Sequence, residues 1–179
     1  MIKNFIKESN FDNDIILKYK DKLPNKLINI WINFGIGSFI KGYIKVINPD
    51  KHLDLLKEVY QSPNSNEYIP IFITGMGDFI VWENNFTVLV NCKKGYSKVI
   101  ESGFEYFVED LNDESFLIEE LDNKNFKEAL QKLGDLDYDE CFGYVPLLGL
   151  GGSEKVENLQ KVKIKEHISL IGQMMGKIK

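Results

Sequence analysis

The chain has 179 residues, 44% of them hydrophobic and 12% aromatic, with a formal net charge of −5. This is one domain's length, enough to bury roughly 70% of the unfolded surface, and the sequence predicts a single globular unit over 1–179. All basic residues are lysines, and the lack of arginine's bidentate fork argues against base-specific DNA reading and against an arginine-clamped phosphoryl-transfer site, though an AT-rich genome gives the same bias.

The opening MIKNFIKESNFDND is polar, lacks the apolar run of a signal peptide, and is followed by no stretch near the ~20 apolar residues of a membrane span. A cytoplasmic protein that does not engage membranes is expected. Ile16, Leu17 and Tyr19 begin an amphipathic stretch, Leu23-Pro24 punctuates it, and Leu27, Ile28, Trp31 and Ile32 give a helix over 25–34 with Trp31 in the core. Gly35-Ile36-Gly37 ends that helix, and a strand is expected over 43–47 after Gly42. Asn48 as cap and Pro49 at the first helical position predict a helix over 50–60, then a loop over 61–67. YIPIFITG, DFIVWE and FTVLVNC, separated by Gly75-Met76-Gly77 and Asn84-Asn85, predict an antiparallel meander at the centre of a sheet. Beyond the Lys93-Lys94-Gly95 turn the chain is read as helical: Phe104, Phe107, Val108 and Leu111 fit one helix. A second starts at Asp122 or Asn123, with Phe126, Ala129, Leu130 and Leu133 facing inward and Gly134 closing it. Strand character over 141–148, a last strand over 161–165 and a terminal helix over 166–175 complete an α+β chain whose central, mostly antiparallel sheet carries helices packed on it.

Charge is unevenly distributed. Between Glu105 and Glu140 there are 13 acids and three lysines, against 14 acids and 19 lysines elsewhere. Asp135, Asp137, Asp139 and Glu140 form the one dense carboxylate group. An EF-hand counted from Asp135 fails, because Glu140 and Pro146 stand where glycine and glutamate are required, so three readings stay open: a solvated loop, an acidic surface for a basic partner, or a divalent metal site. The glycines at 149, 151 and 152 fail as a dinucleotide fingerprint, since Glu154 occupies the third glycine's position, and as a P-loop, since Gly152-Ser153-Glu154 replaces Gly-Lys-Ser/Thr. They read as a backbone turn. His52 and His167 lie outside metal-ligand spacings. Cys92 and Cys141 lack CxxC spacing and read as buried thiols, and pairing either with His167 has no local support. Tyr68, Phe79, Trp82, Phe86 and Tyr106 read as core or as the lining of a ligand cleft. A small-molecule or nucleotide module using Gly75-Met76-Gly77-Asp78 beside Trp82 is the alternative function.

Three segments carry a resemblance: LPNKLINIWINFGIGSFIKGYIKVINP (23–49), IPIFITGMGDFIVWE (69–83) and ECFGYVPLLGLGGSEKVENLQKVKIKEH (140–167). Together they resemble the GAD-like and type VI secretion immunity-protein family, and the first two also resemble the wider SUKH superfamily. The resemblance implies a SUKH-like fold with a GAD-like portion over 1–95, carrying the strand meander, and an immunity-family portion over 96–179. It implies a non-enzymatic protein that needs no cofactor or metal, contacts no nucleic acid directly, and binds and neutralises a cognate toxin, typically a nuclease. Gly143, Pro146, Gly151, Gly152, Asn158 and Leu159 are the motif residues and stand as fold determinants. The acidic segment supplies the candidate toxin contacts: Asp135, Asp137, Asp139 and Glu140, with Glu119 and Glu120 on the helices before them. Oligomeric state is left open.

Overall fold

A computed structural model describes residues 2–63 and 67–179; the expected 61–67 loop therefore lies partly outside the described residues. In chain order the elements are β1 (Ile6–Ser9), α1 (Asn13–Tyr19), α2 (Asn25–Phe34), β2 (Ile36–Phe39), β3 (Ile44–Val46) and α3 (Pro49–Val59). There follow β4 (Tyr68–Thr74), β5 (Phe79–Glu83), β6 (Phe86–Asn91), β7 (Tyr96–Ser102), α4 (Glu105–Asp110), α5 (Glu114–Glu119) and α6 (Phe126–Leu133). The chain closes with β8 (Glu140–Tyr144), β9 (Leu159–Lys163) and α7 (Ile164–Met175). Strands β1 to β7 form one antiparallel sheet in sequence order, and β8 pairs with β9 in a separate hairpin.

Period-two alternation places the central side chains on two faces. Ile80 lies opposite Phe72 and Leu89, and these pack with α1, α2 and α4 to α6 in one core. Phe79 lies opposite Ile73 and Val90, and Val81 opposite Val88; they pack with α3 and α7 in a second core. With helices on both faces, the central strands lose the polar half of their alternation and read as continuous apolar runs. Trp31 is fully buried and stacks on Phe11 with ring centroids 4.1 Å apart.

Local signals act where expected. Asn48 accepts the amide of Asp50 at 2.9 Å ahead of Pro49. Asn84 and Asn85 both adopt positive φ, which lets their two-residue turn follow the twist of the β5–β6 hairpin. Four elements were not expected: β1, β2, β7 and α5. The stretch after Lys93-Lys94-Gly95 is corrected from helix to strand, because β7 pairs along β6 before α4 begins. Leu133, expected to face inward, is exposed because α6 ends there and Gly134 turns the chain away with φ +80.

One polar network joins the sheet to the later segments. Lys93, in the turn after β6, is buried between Asp78 and Asp122, the latter at 3.1 Å, while Lys94 reaches Asp122 and Glu154 at 2.9 and 2.8 Å. Burial alone would lower the Lys93 ammonium, but the two carboxylates outweigh it and hold the group above its ordinary value.

Candidate functional site

Loop 134–139 leaves α6 at Gly134 and reaches β8, and three lysines hold its shape. Lys161 donates to the Asp135 carbonyl at 2.5 Å and Lys45 to the Asp137 carbonyl at 3.0 Å, while Lys163 pairs with Asp139 at 2.9 Å and Glu140 at 3.4 Å. The Asp137 amide donates to Glu140 at 3.1 Å, and the Tyr138 hydroxyl donates to the Val46 carbonyl at 2.7 Å. Because Lys161 and Lys45 take main-chain oxygens, the Asp135 and Asp137 carboxylates have no ion-pair partner among the described residues and stand exposed.

That loop is one wall of a cleft of about 1060 Å³, whose other side is formed by β1 and β2 and by the turn after them, with Ile6, Glu8, Ser38, Lys41 and Gly42 among the lining. Four carboxylates, Glu8, Asp135, Asp137 and Asp139, thus face one space that has Lys41 as its lysine. Lys41 in the lining holds φ of +55, and Ile40 before it in the chain, φ of +52. For a β-branched residue such as Ile40 this conformation is costly, and strain of this kind clusters at binding and switch sites. Beneath the wall lies Lys45, 1% exposed, its ammonium 5.8 Å from the Tyr138 ring centre. Burial pushes Lys45 down to about 8, with Asp139, Glu140 and Glu8 resisting the fall.

The expected contact residues therefore divide. Asp135, Asp137 and Asp139 share the cleft, whereas Glu140 is half-buried and turned toward Lys163. Glu119 and Glu120 are held elsewhere: Lys98 of β7, the opposite edge strand from β1, donates to the Glu119 carbonyl and pairs with Glu120 at 2.8 Å. Sequence reasoning missed Glu8, Ser38, Lys41 and Lys45. The available signal for the last was a lone lysine inside the apolar run 43–47. Among the described residues no group of three or more His, Cys, Asp or Glu is arranged to hold a metal ion.

Two other readings are corrected. Met76 and Asp78 of the Gly75–Asp78 turn are buried, Phe142 donates its amide to the Gly75 carbonyl at 2.7 Å, and a Cβ on Gly75 would lie 2.4 Å from the Phe126 ring, so β8 and α6 cover the turn. Trp82 lies at the far end of the hairpin, opposite Ile69, and cannot share a site with it. Nor do the five aromatics converge: Phe79 packs on the α3/α7 side, Trp82 on the opposite side, and Tyr106 is 63% exposed. Cys92 and Cys141 are buried and protonated, burial pushing the Cys141 thiol up to about 12, so neither supplies a thiolate.

The motif residues occupy tight or specialised positions. A Cβ on Gly143 would lie 2.5 Å from the His167 ring, and one on Gly152 would lie 2.1 Å from the Pro146 carbonyl oxygen. Gly151 adopts φ +89, Val145–Pro146 is cis, Asn158 donates to the Ser153 carbonyl at 3.0 Å, and buried Leu159 pairs with Tyr144. The glycine-rich stretch is a backbone turn closing on itself, with the Gly152 amide donating to the Leu147 carbonyl at 3.0 Å.

A seven-stranded meander sandwiched between helices, with an acidic cleft at one edge, defines an α+β fold. Residues 1–94 match the family model described as the GAD-like domain, and the chain belongs to that family. Residues 101–175 match the family model described as T6SS immunity protein Tdi1, C-terminal, and the acidic loop lies within the matched stretch. Comparison with curated proteins gave no match. Among solved structures, the crystal structure of Atu4351 from Agrobacterium tumefaciens is similar with a TM-score of 0.74 at 18% identity, covering 95% of this chain and 86% of that one, a likeness of fold. No described helix is long and apolar enough to cross a membrane.

Proposed function

We propose that this chain is an immunity protein that binds a cognate secreted toxin, most simply a basic nuclease, and blocks it by occupying its substrate-binding surface. The observation that carries the reading is that Asp135, Asp137 and Asp139, within the segment matching the Tdi1 family, form the wall of a large acidic cleft. A nuclease must present a cationic groove to phosphates, and a row of carboxylates on one loop is complementary to such a groove. The loop is held by main-chain contacts from Lys45 and Lys161, so its acids are positioned before the partner arrives. Preorganisation of this kind reduces the entropy lost on binding. Opposite charge raises the association rate, up to about 10⁸ to 10⁹ M⁻¹s⁻¹ when steering is strong. In this reading the protein works without catalysis, in the cytoplasm of the cell it protects, as one unit with portions over 1–95 and 96–179.

The experiment mixes the purified chain with the product of the adjacent open reading frame and follows heat of binding at micromolar concentration, together with growth of cells expressing that product with and without this chain. A one-to-one or similarly defined complex with restored growth is expected. No complex and no rescue overturn the proposal.

A further inference from the structure

The acidic cleft does not end at loop 134–139. Asp139 faces the cleft and also pairs with Lys163, and Lys163 lines a second, apolar groove of about 420 Å³ between the glycine-rich turn and α7. Its walls are Pro146 and Leu150 on the turn and Leu170 and Met174 on α7, over Val162 of β9. Leu150, Leu170 and Met174 are 52%, 46% and 52% exposed, so three large apolar side chains stand open to water side by side. Exposed apolar residues occurring singly need no explanation, but a contiguous concave group does. On α7 the four-residue spacing of Glu166, Leu170 and Met174 sets an exposed carboxylate in line with the two apolar side chains. Glu166 has no ion-pair partner among the described residues, and Lys163 is already taken by Asp139 and Glu140.

We infer that this groove seats a large apolar side chain of the same protein partner that the acidic cleft attracts, a residue such as leucine, methionine or phenylalanine flanked by lysine or arginine. The inference rests on the immunity reading above. Continuity with the acidic cleft through Asp139 and Lys163, and the exposed Glu166 carboxylate on the groove's wall, select a partner whose apolar anchor has a cationic residue beside it. The two regions then do different work: the cleft governs how fast the partner arrives, and the groove how slowly it leaves. Anchors in desolvated pockets carry most of an interface's energy, and their loss appears in the dissociation rate.

The test measures association and dissociation of the adjacent open reading frame's product on immobilised wild type, Leu170→Glu, Met174→Glu and Leu170→Met. Both positions are exposed, and melting temperatures near wild type verify folding of each variant. Each glutamate variant is expected to dissociate at least about thirtyfold faster with association changed less than threefold, and Leu170→Met to behave as wild type. Dissociation unchanged by both glutamate substitutions, in a complex that still forms, overturns the groove's role while leaving the immunity reading standing. No complex with wild type overturns the immunity reading itself. Sedimentation of the free chain supplies the other check: a monomer at all concentrations is expected, and a dimer abolished by Leu170→Glu would assign the groove to a second copy and overturn the inference.

Discussion

Lys45 gives the most direct energetic handle on the cleft, because a charged group 1% exposed holds the acidic wall from below. Among the described residues its ammonium makes one hydrogen bond, to the Asp137 carbonyl, and has no carboxylate within ion-pair distance. Its pKa falls from 10.5 to about 8 on folding. At about 1.4 kcal/mol per tenfold change in proton affinity, that fall costs about 3 kcal/mol at pH 7. Lys45→Met removes the cost at nearly constant volume and forfeits the hydrogen bond, worth about 1 kcal/mol. The variant should therefore be more stable by about 2 kcal/mol at pH 7, raising the melting temperature by about 4 to 8 °C for a chain of this size. The sign of the pH dependence follows from the same numbers. The folded pKa lies below the unfolded one, so the cost is full below about pH 8 and disappears as pH rises toward 10.5, and the advantage of the variant should vanish over that interval. Urea unfolding of both proteins between pH 7 and 10 measures this. A variant less stable than wild type at pH 7, or a difference independent of pH, would show that Lys45 is not buried at a net cost.

Gly143→Ala should cost about 2 kcal/mol by thermal unfolding, within the range for overpacking, because the added methyl meets the His167 ring at 2.5 Å and Val162 at 2.8 Å. Lys93→Met leaves Asp78 and Asp122 facing each other without their shared cation, and about 3 to 5 kcal/mol of stability should be lost in urea; adding Asp78→Asn should recover part of it. Burial depresses His167 below its ordinary value, so its contribution to stability is full above about pH 6.5 and is lost as pH falls through the folded pKa. The melting temperature of His167→Gln should accordingly fall less than that of wild type between pH 7 and 5.

Much of the fold was legible because its signals are local. Asn48-Pro49, Leu23-Pro24 and Asn84-Asn85 mark boundaries, and Leu27, Ile28 and Trp31 of α2 and Phe126 and Ala129 of α6 mark buried sides, without reference to distant chain; Ile32, expected on the same face of α2, is 60% exposed, as Leu133 of α6 is exposed. The missed elements depend on distant partners. β1 is four exposed residues, defined by pairing with β2 rather than by its own pattern, and β2 looked like a helix-ending glycine pair. A Cβ on Gly37 would lie 2.2 Å from the Ile6 carbonyl oxygen, so that glycine serves strand contact as much as the end of a helix. β7 escaped because an edge strand with lysine, serine and glutamate lacks a clean alternation. At the candidate site, the carboxylate-dense loop was visible in the sequence, but its opposite wall was not, since Glu8, Ser38 and Lys41 reach it through the β1–β2–β3 pairing. Glu119 and Glu120 shared the charge and not the place, because Lys98 draws that end of α5 to β7.

In the proposed immunity role, the carboxylates of the 135–139 wall capture the partner electrostatically. The decisive measurement is the association rate of the adjacent open reading frame's product with wild type and with the triple variant Asp135→Asn, Asp137→Asn, Asp139→Asn, across salt from low to about 0.5 M. At low salt the variant should associate at least about tenfold more slowly, and the two rates should converge as salt screens the charges. Equal rates at low salt, in a complex that forms normally, would contradict the claim.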